Sequence, residues 1–145
     1  LADFATYMTG DVYQALVAGS VLRLQIKLAE DWDQAALRTG TERGAACASA
    51  GELLAMLFSG RTMGLFGKME QGQLGSYVLG MLLGAEISAG RQAFAGESVT
   101  LVGSQAWVDR YACACEVLQL PCAAGPANAA FSGLRAIGAR LAAIK

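Results

Sequence analysis

The chain has 145 residues, of which 54% are hydrophobic and 16% are charged, and its formal net charge at pH 7 is −1. This length and composition suit a single globular domain with a large core, and they exclude an intrinsically disordered chain. The 11 basic residues are scattered among 12 acidic ones, which argues against a nucleic-acid or anionic-membrane partner.

The two best uncharged stretches do not have the features of a membrane-spanning helix. The stretch 71–85 is too short, and the stretch 117–134 contains Pro121 and Pro126. The N-terminal residues lack the basic region and the apolar core of a signal peptide, so we expect a cytoplasmic protein.

The cysteines predict buried thiols and not a metal centre. The sequence has no histidine and no CxxC motif, which most zinc or redox sites of this kind need. We therefore expect small buried thiols in a reducing cytosol, at Cys47, Cys113, Cys115 and Cys122.

The first half of the sequence predicts one strand followed by three helices. Asp3–Met8 alternates in the manner of a strand, and Thr9 is a suitable N-cap for the helix that follows. A second helix is expected to begin near Asp31, with Leu37 pointing inward. A third helix in GELLAMLFSGRTMGLFG, ended by Gly64 or Gly67, is predicted to bury a set of apolar residues: Leu53, Leu54, Leu57, Phe58 and Leu65.

The second half predicts a buried helix, then a strand and two further helices. Gln71–Phe94 is apolar nearly all round, and its Gly80 and Gly84 form a smooth strip for close packing. The strand VTLVG precedes a helix in which Trp107 and Tyr111 should form a core pair. After a short apolar run, LQLPCAA, a last helix over 128–144 carries an apolar stripe made of Phe131, Leu134, Ile137 and Leu141. Few strands among many helices, with the order strand, helix and strand near the end, indicate an α/β or α+β architecture, and the isolated first strand suggests part of a larger protein.

Five segments in this order resemble the second half of the 2-dehydro-3-deoxygalactonokinases: FATYMTGDVYQAL, LFSGRTMGLFG, SYVLGMLLGAEISA, VTLVGSQAWVDRY and AAFSGLRAIGARL. The resemblance implies an α/β domain of the ribonuclease-H-like, actin-type ATPase class, helix-rich, with a small mixed sheet that lacks its first strands. It further implies that residues 1–145 form the C-terminal nucleotide-binding domain of a two-domain sugar-acid kinase.

The activity implied by the resemblance is phosphorylation of 2-dehydro-3-deoxy-D-galactonate on its 6-hydroxyl with ATP and Mg²⁺. Its partners would be the sugar acid, ATP and the N-terminal domain of the same protein, and a homo-oligomer stays open. The Gly-Thr-His loop of the family is absent because the chain has no histidine, and the catalytic carboxylate is expected upstream. We therefore expect the isolated chain to be inactive, and its sequence does not distinguish the galactonate acid from its gluconate epimer.

The resemblance implies a nucleotide site with seven candidate residues: Thr9, Gly10, Asp11, Arg61, Glu86, Gly103 and Ser104. VTLVGS resembles the adenosine motif of the superfamily, in which a glycine turn lets the nucleoside lie against backbone. The backbone N–H groups of 9–11 and 103–104 can act as fixed phosphate donors, and 9–11 can also contact a magnesium-bound water. Arg61 would add a cation near the nucleotide, and Glu86 would accept from ribose hydroxyls.

Structural explanations stand beside each of these assignments. Residues 9–11 and 103–104 also suit ordinary helix caps, Arg61 also suits a surface position, and Glu86 also suits a buried carboxylate with partners. Pro126 stands where the family usually has an acidic residue. The alternative function is a non-catalytic nucleotide-binding or assembly module of actin-like fold, and Pro126 is the residue that favours it.

Overall fold

The computed structural model describes residues 4–26, 32–94 and 98–143. Six α-helices, two short strands and one 3₁₀ turn account for the regular structure of these residues. In chain order they are α1 (Thr9–Gly19), the 3₁₀ turn (Val21–Leu24), α2 (Gln34–Ala45), α3 (Ala50–Leu65), α4 (Gln71–Ala93), β1 (Val99–Leu101), α5 (Gln105–Val117), β2 (Cys122–Ala124) and α6 (Ala129–Ala142).

Helix α4 is the centre of the fold, as its all-round apolar sequence predicts. Every residue from Leu74 to Gly84 is buried. One side of α4 packs with α1, the 3₁₀ turn and α3 around Tyr77 and Val78, and the other packs with α5 around Leu83 and Ile87. Because other elements cover both sides of this segment, its side chains are almost all apolar.

Glycines bring α2 and α4 into backbone contact. A Cβ atom built on Gly80 would overlap the carbonyl oxygen of Leu37, and one built on Gly84 would overlap that of Thr41. Gly40 and Gly44 meet the backbone of α4 in the same way. The predicted glycine strip is thus confirmed as a packing surface, and α2 supplies matching glycines for it.

The beginning of α2 is tied to α4 through Asp33. The Asp33 carboxylate accepts a hydrogen bond from the Ala36 amide at 2.7 Å and another from the Gln73 side chain at 3.1 Å. These two bonds hold the pKa of Asp33 below its ordinary value, because they stabilise the charged form. The helix therefore begins after an Asp33 cap, and the predicted start near Asp31 lies outside the described residues.

Leu37 is completely buried, as predicted, whereas the prediction for α3 is only partly correct. Leu53, Leu57, Gly60 and Gly64 lie one above another on the face of α3 that meets the core. Three of the predicted core residues lie on the neighbouring face and are exposed: Leu54, Phe58 and Leu65. Apolar residues occur around more than one face of α3, so their spacing alone did not select the buried one. The helix ends at Leu65, and Gly67 follows with a φ of 60°, which confirms Gly67 as the terminating glycine.

The sheet is smaller than predicted and is parallel, not mixed, in the described part of the chain. Strands β1 and β2 pair in parallel, with Val99 opposite Cys122 and Leu101 opposite Ala124. The predicted N-terminal strand is wrong for residues 4–8, which have no regular secondary structure, and Asp3 lies outside the described residues. A strand needs a neighbour for its backbone hydrogen bonds, and alternation of side chains cannot supply one.

The apolar stripe of α6 is exposed, although its spacing predicts burial. Phe131 is 80% exposed, and Leu134, Ile137 and Leu141 are more than half exposed. An amphipathic pattern shows which face of a helix is apolar but not whether another element covers it.

The four cysteines are free thiols, two of them buried (Cys113 and Cys115) and two half-buried (Cys47 and Cys122). Burial, together with the neighbouring Cys122 thiol, raises the pKa of Cys115 to about 12. The prediction of small thiols packed in or near the core is therefore correct for the pair on α5.

Candidate functional site

Glu86 is the polar centre of the candidate site. It lies on the C-terminal half of α4, on the side where α1 and α5 approach. The Thr9 hydroxyl donates a hydrogen bond to Oε2 of Glu86. The Tyr111 hydroxyl donates one bifurcated hydrogen bond to the same carboxylate, with its oxygen 3.0 Å from Oε1 and 3.1 Å from Oε2. Three helices that are far apart in sequence are thereby connected through one carboxylate group.

Tyr111 stays a hydrogen-bond donor at neutral pH. Burial, followed by the neighbouring Glu86 carboxylate, raises the pKa of Tyr111 well above its ordinary value. The Trp107 ring lies one helical turn away, with its centroid 6.2 Å from that of Tyr111 and the planes tilted by 45°. The predicted aromatic pair is confirmed, and the sequence analysis missed the contact between the Tyr111 hydroxyl and Glu86. The available signal was Glu86 itself, because a carboxylate in an apolar helix requires donors nearby.

Two cavities adjoin this cluster. The larger, of about 380 Å³, lies between α4, α5 and β1, and its lining includes Glu86, Phe94 and Tyr111. The smaller, of about 280 Å³, lies against β1 and the first turns of α5, and its lining includes Gly103 and Trp107. Leu101 and Tyr111 line both cavities. A ligand with an apolar ring and polar substituents matches such walls, which are mostly apolar with a few polar groups.

The turn between β1 and α5 is open at Gly103. Strand β1 ends at Leu101, and a Cβ atom added to Gly103 would meet nothing within 4 Å. Ser104 is the N-cap residue of α5, and its hydroxyl makes no capping hydrogen bond. Packing therefore does not require a glycine at position 103, which lines the smaller cavity.

The beginning of α1 meets the same region from the other side. Thr9 is the first residue of α1, and Met8, not Thr9, occupies the N-cap position, so the predicted cap is wrong. The Thr9 hydroxyl donates to the Glu86 carboxylate, and hydrogen bonds to a charged acceptor are among the stronger ones. A Cβ atom on Gly10 would lie 3.8 Å from the Trp107 ring, and Asp11 is exposed in the first helical turn.

Comparisons with known proteins assign the chain to a family. The family model described as 2-keto-3-deoxy-galactonokinase matches residues 1–137. The chain belongs to the 2-keto-3-deoxy-galactonokinase family. A curated relative, the 2-dehydro-3-deoxygalactonokinase of Escherichia coli strain K12, is 28% identical over 137 residues, which are 93% of this chain and 46% of the relative.

A solved structure supports the architecture of this family member. The crystal structure of a candidate 2-dehydro-3-deoxygalactonokinase from Sinorhizobium meliloti aligns with a TM-score of 0.76 at 24% identity. The alignment covers 87% of this chain and 41% of that protein. The two share a fold over that region, and the chain spans less than half the length of either relative.

The structure brings five of the candidate residues of this family member into one region. Thr9 and Glu86 are hydrogen-bonded to each other, and Gly10 lies beside the Trp107 ring. Gly103 and Ser104 form the turn that leads into α5. Arg61 is not part of this group. It lies on α3, where its guanidinium is 5.9 Å from the centre of the Phe58 ring. The contact between α3 and α4 is at Gly60 and Val78. Glu86 lies eight residues further along α4, which separates it from this contact by about 12 Å along the helix axis.

The described residues contain neither a metal-binding cluster nor a membrane-spanning helix. No group of three or more His, Cys, Asp or Glu side chains within 4–26, 32–94 and 98–143 is arranged to hold a metal ion. No helix in that part of the chain is long and apolar enough to cross a bilayer. Mg²⁺ that is bound with a nucleotide needs only one or two carboxylates besides waters and phosphates, and the exposed Asp11 beside the N-terminus of α1 has the chemistry for one of them.

Proposed function

We propose that this chain is the ATP-binding half of a kinase that phosphorylates 2-dehydro-3-deoxy-D-galactonate at its 6-hydroxyl. Family membership supports the reaction class. The observation that carries the nucleotide site is that Glu86 lines one cavity and the open Gly103 turn lines the adjoining one, while Thr9 at the beginning of α1 donates a hydrogen bond to Glu86. The proposal includes a ribonuclease-H-like, actin-type domain that works together with a second domain.

In this proposal the adenosine lies against the β1–α5 turn. The absence of a side chain at Gly103 leaves the backbone accessible, and Glu86 accepts a hydrogen bond from a ribose hydroxyl. The N–H groups at the beginning of α1 face the phosphates, which the positive end of a helix dipole favours. Asp11 would hold a water of hydrated Mg²⁺, which, when bound, neutralises charge on the phosphates. Arg61 stays a prediction, because the structure gives it no contact with this cluster.

Phosphoryl transfer requires that the nucleotide and the acceptor hydroxyl are both held in position and that the charge on the phosphates is neutralised. A domain that only binds the nucleotide does not position the acceptor. The base that accepts the proton of the 6-hydroxyl is assigned to the other domain of the complete protein. The isolated chain is accordingly expected to bind ATP and to form no sugar phosphate.

A variant of Gly103 tests the nucleotide site directly. Gly103→Ala adds one methyl group in open space, so we expect unchanged thermal stability and an ATP affinity reduced about tenfold, measured by isothermal titration calorimetry. The matched control is Gly138→Ala on α6, where an added Cβ atom also meets nothing within 4 Å. Unchanged ATP affinity in Gly103→Ala would exclude the turn as the nucleoside site.

The reaction requires a second assay with the complete protein. ADP release is measured with 2-dehydro-3-deoxygalactonate, with its gluconate epimer and without acceptor. Turnover with the galactonate acid alone supports both the reaction and its specificity. ATP binding with no acceptor-dependent ADP release would instead support the alternative, a non-catalytic nucleotide-binding or assembly module. The exposed apolar stripe of α6 does not decide between the two functions, because a second domain and a second copy of the chain would cover it equally well, and Pro126 is the residue that favours the alternative.

A further inference from the structure

Tyr111 connects every part of the candidate site. Tyr111 lines both cavities, and its hydroxyl donates one bifurcated hydrogen bond to the two oxygens of Glu86, at 3.0 Å and 3.1 Å. Trp107 packs against it from the previous turn of α5. Because α5 begins directly at the Gly103–Ser104 turn, any shift of Tyr111 changes the relation between that turn and Glu86.

The hydrogen bonds to Glu86 do not occupy all the acceptor positions of its carboxylate. Each carboxylate oxygen has two acceptor positions. Oε2 accepts from Thr9 and from Tyr111, whereas Oε1 accepts from Tyr111 alone among the hydrogen bonds of the described residues. Glu86 also lines the larger cavity. One acceptor position on Oε1 is therefore left for a donor that enters the cavity.

Two donors from different helices define the orientation of this carboxylate. Thr9 holds only Oε2, so with Thr9 alone the group can still turn about that bond. Tyr111 contacts both oxygens and removes this freedom. A ligand that meets an already oriented acceptor loses less conformational entropy on binding.

We propose that Tyr111 is a positioning residue that holds Glu86 so that its free acceptor position meets a ribose hydroxyl of the bound nucleotide. This inference rests on the proposed function, because it assumes that the nucleotide binds at this site. Tyr111 thereby determines how strongly the protein prefers a ribonucleotide to an analogue without ribose hydroxyls, although it makes no hydrogen bond to the nucleotide itself.

The test compares ATP with 2′,3′-dideoxy-ATP by isothermal titration calorimetry on the purified protein. We expect the wild type to bind ATP about tenfold more tightly than the dideoxy analogue. Tyr111→Phe should lower this preference to about threefold or less, while its affinity for the analogue changes by less than about twofold. The matched control is Tyr13→Phe, which removes the hydroxyl of another half-buried tyrosine, one that packs against both sides of the core. It should keep the wild-type preference.

The outcomes separate the two proposals. If Tyr111→Phe weakens both ligands equally and the preference stays at the wild-type value, Tyr111 is merely structural and the inference is wrong. If the wild type binds ATP and the dideoxy analogue equally, Glu86 does not meet the ribose, and the inference is also wrong. If the folded wild type binds neither ligand, the nucleotide site of the proposed function fails, and the inference fails with it.

Discussion

Replacing Gly80 by alanine should separate the two helices that form the centre of the molecule. A Cβ atom at Gly80 would overlap the Leu37 carbonyl oxygen and lie 2.9 Å from the Thr41 amide nitrogen. Ordinary contacts begin near 3.4 Å, and the Leu37 oxygen is the nearer of the two atoms, so α2 must move by about 1 Å. The obstacle is backbone, which cannot rotate away as a side chain would.

The expected loss of stability follows from two opposing effects. Overpacking that displaces backbone costs about 3 kcal/mol, and alanine regains about 1 kcal/mol over glycine as a helix former. We therefore expect Gly80→Ala to lower the free energy of unfolding by about 2 kcal/mol. With a typical urea m-value near 2 kcal/mol/M, the midpoint should fall by about 1 M.

Urea unfolding followed by circular dichroism measures this effect. Gly90→Ala on the same helix is the control, because a Cβ atom there meets nothing within 4 Å and the variant should be slightly stabilised. A Gly80→Ala protein with the wild-type midpoint and an unchanged m-value would show that the α2–α4 backbone contact is not as close as described.

Two further predictions concern titratable groups. Asp33→Asn should destabilise the protein at neutral pH, because a lowered pKa gives stability that is present above the unfolded value of about 3.9. The difference between the two proteins should disappear as the pH falls through the folded value, which lies below the unfolded one. Urea midpoints of both proteins across pH 2–7 measure it, and a constant difference would contradict it. Iodoacetamide at pH 8 should modify Cys47 before Cys115, because Cys115 is buried and has a pKa of about 12. Peptide mass spectrometry measures the order, and equal rates in the folded protein would be inconsistent with the structure.

The sequence predicted those elements whose patterns have one physical interpretation. Helix α4 is apolar all round, and a helix of that kind is stable only when other elements cover it on every side. The glycine strip of α4 likewise predicted a close approach, although α2 as its partner was not identified. The order of strand, helix and strand from Val99 to Ala124 also agrees with the structure.

The wrong predictions share one cause, which is that a local pattern does not specify its partner. Residues 4–8 alternate like a strand but have no place in the two-stranded sheet, and the stripe of α6 remains exposed. In α3, only contact with α4 distinguishes the buried face from the apolar face beside it.

The features of the candidate site are also of two kinds, those that the sequence predicted and those that only the fold determined. The sequence by itself determined the family resemblance, the glycine turn at 103–104 and the need of Glu86 for hydrogen-bond donors. Only the tertiary structure decided that Thr9 and Tyr111 are those donors and that Arg61 lies elsewhere, since Thr9 is 77 residues from Glu86 in the chain and Tyr111 is 25 residues from it. Contacts over such separations depend on how helices pack around α4, and that packing is a property of the whole fold.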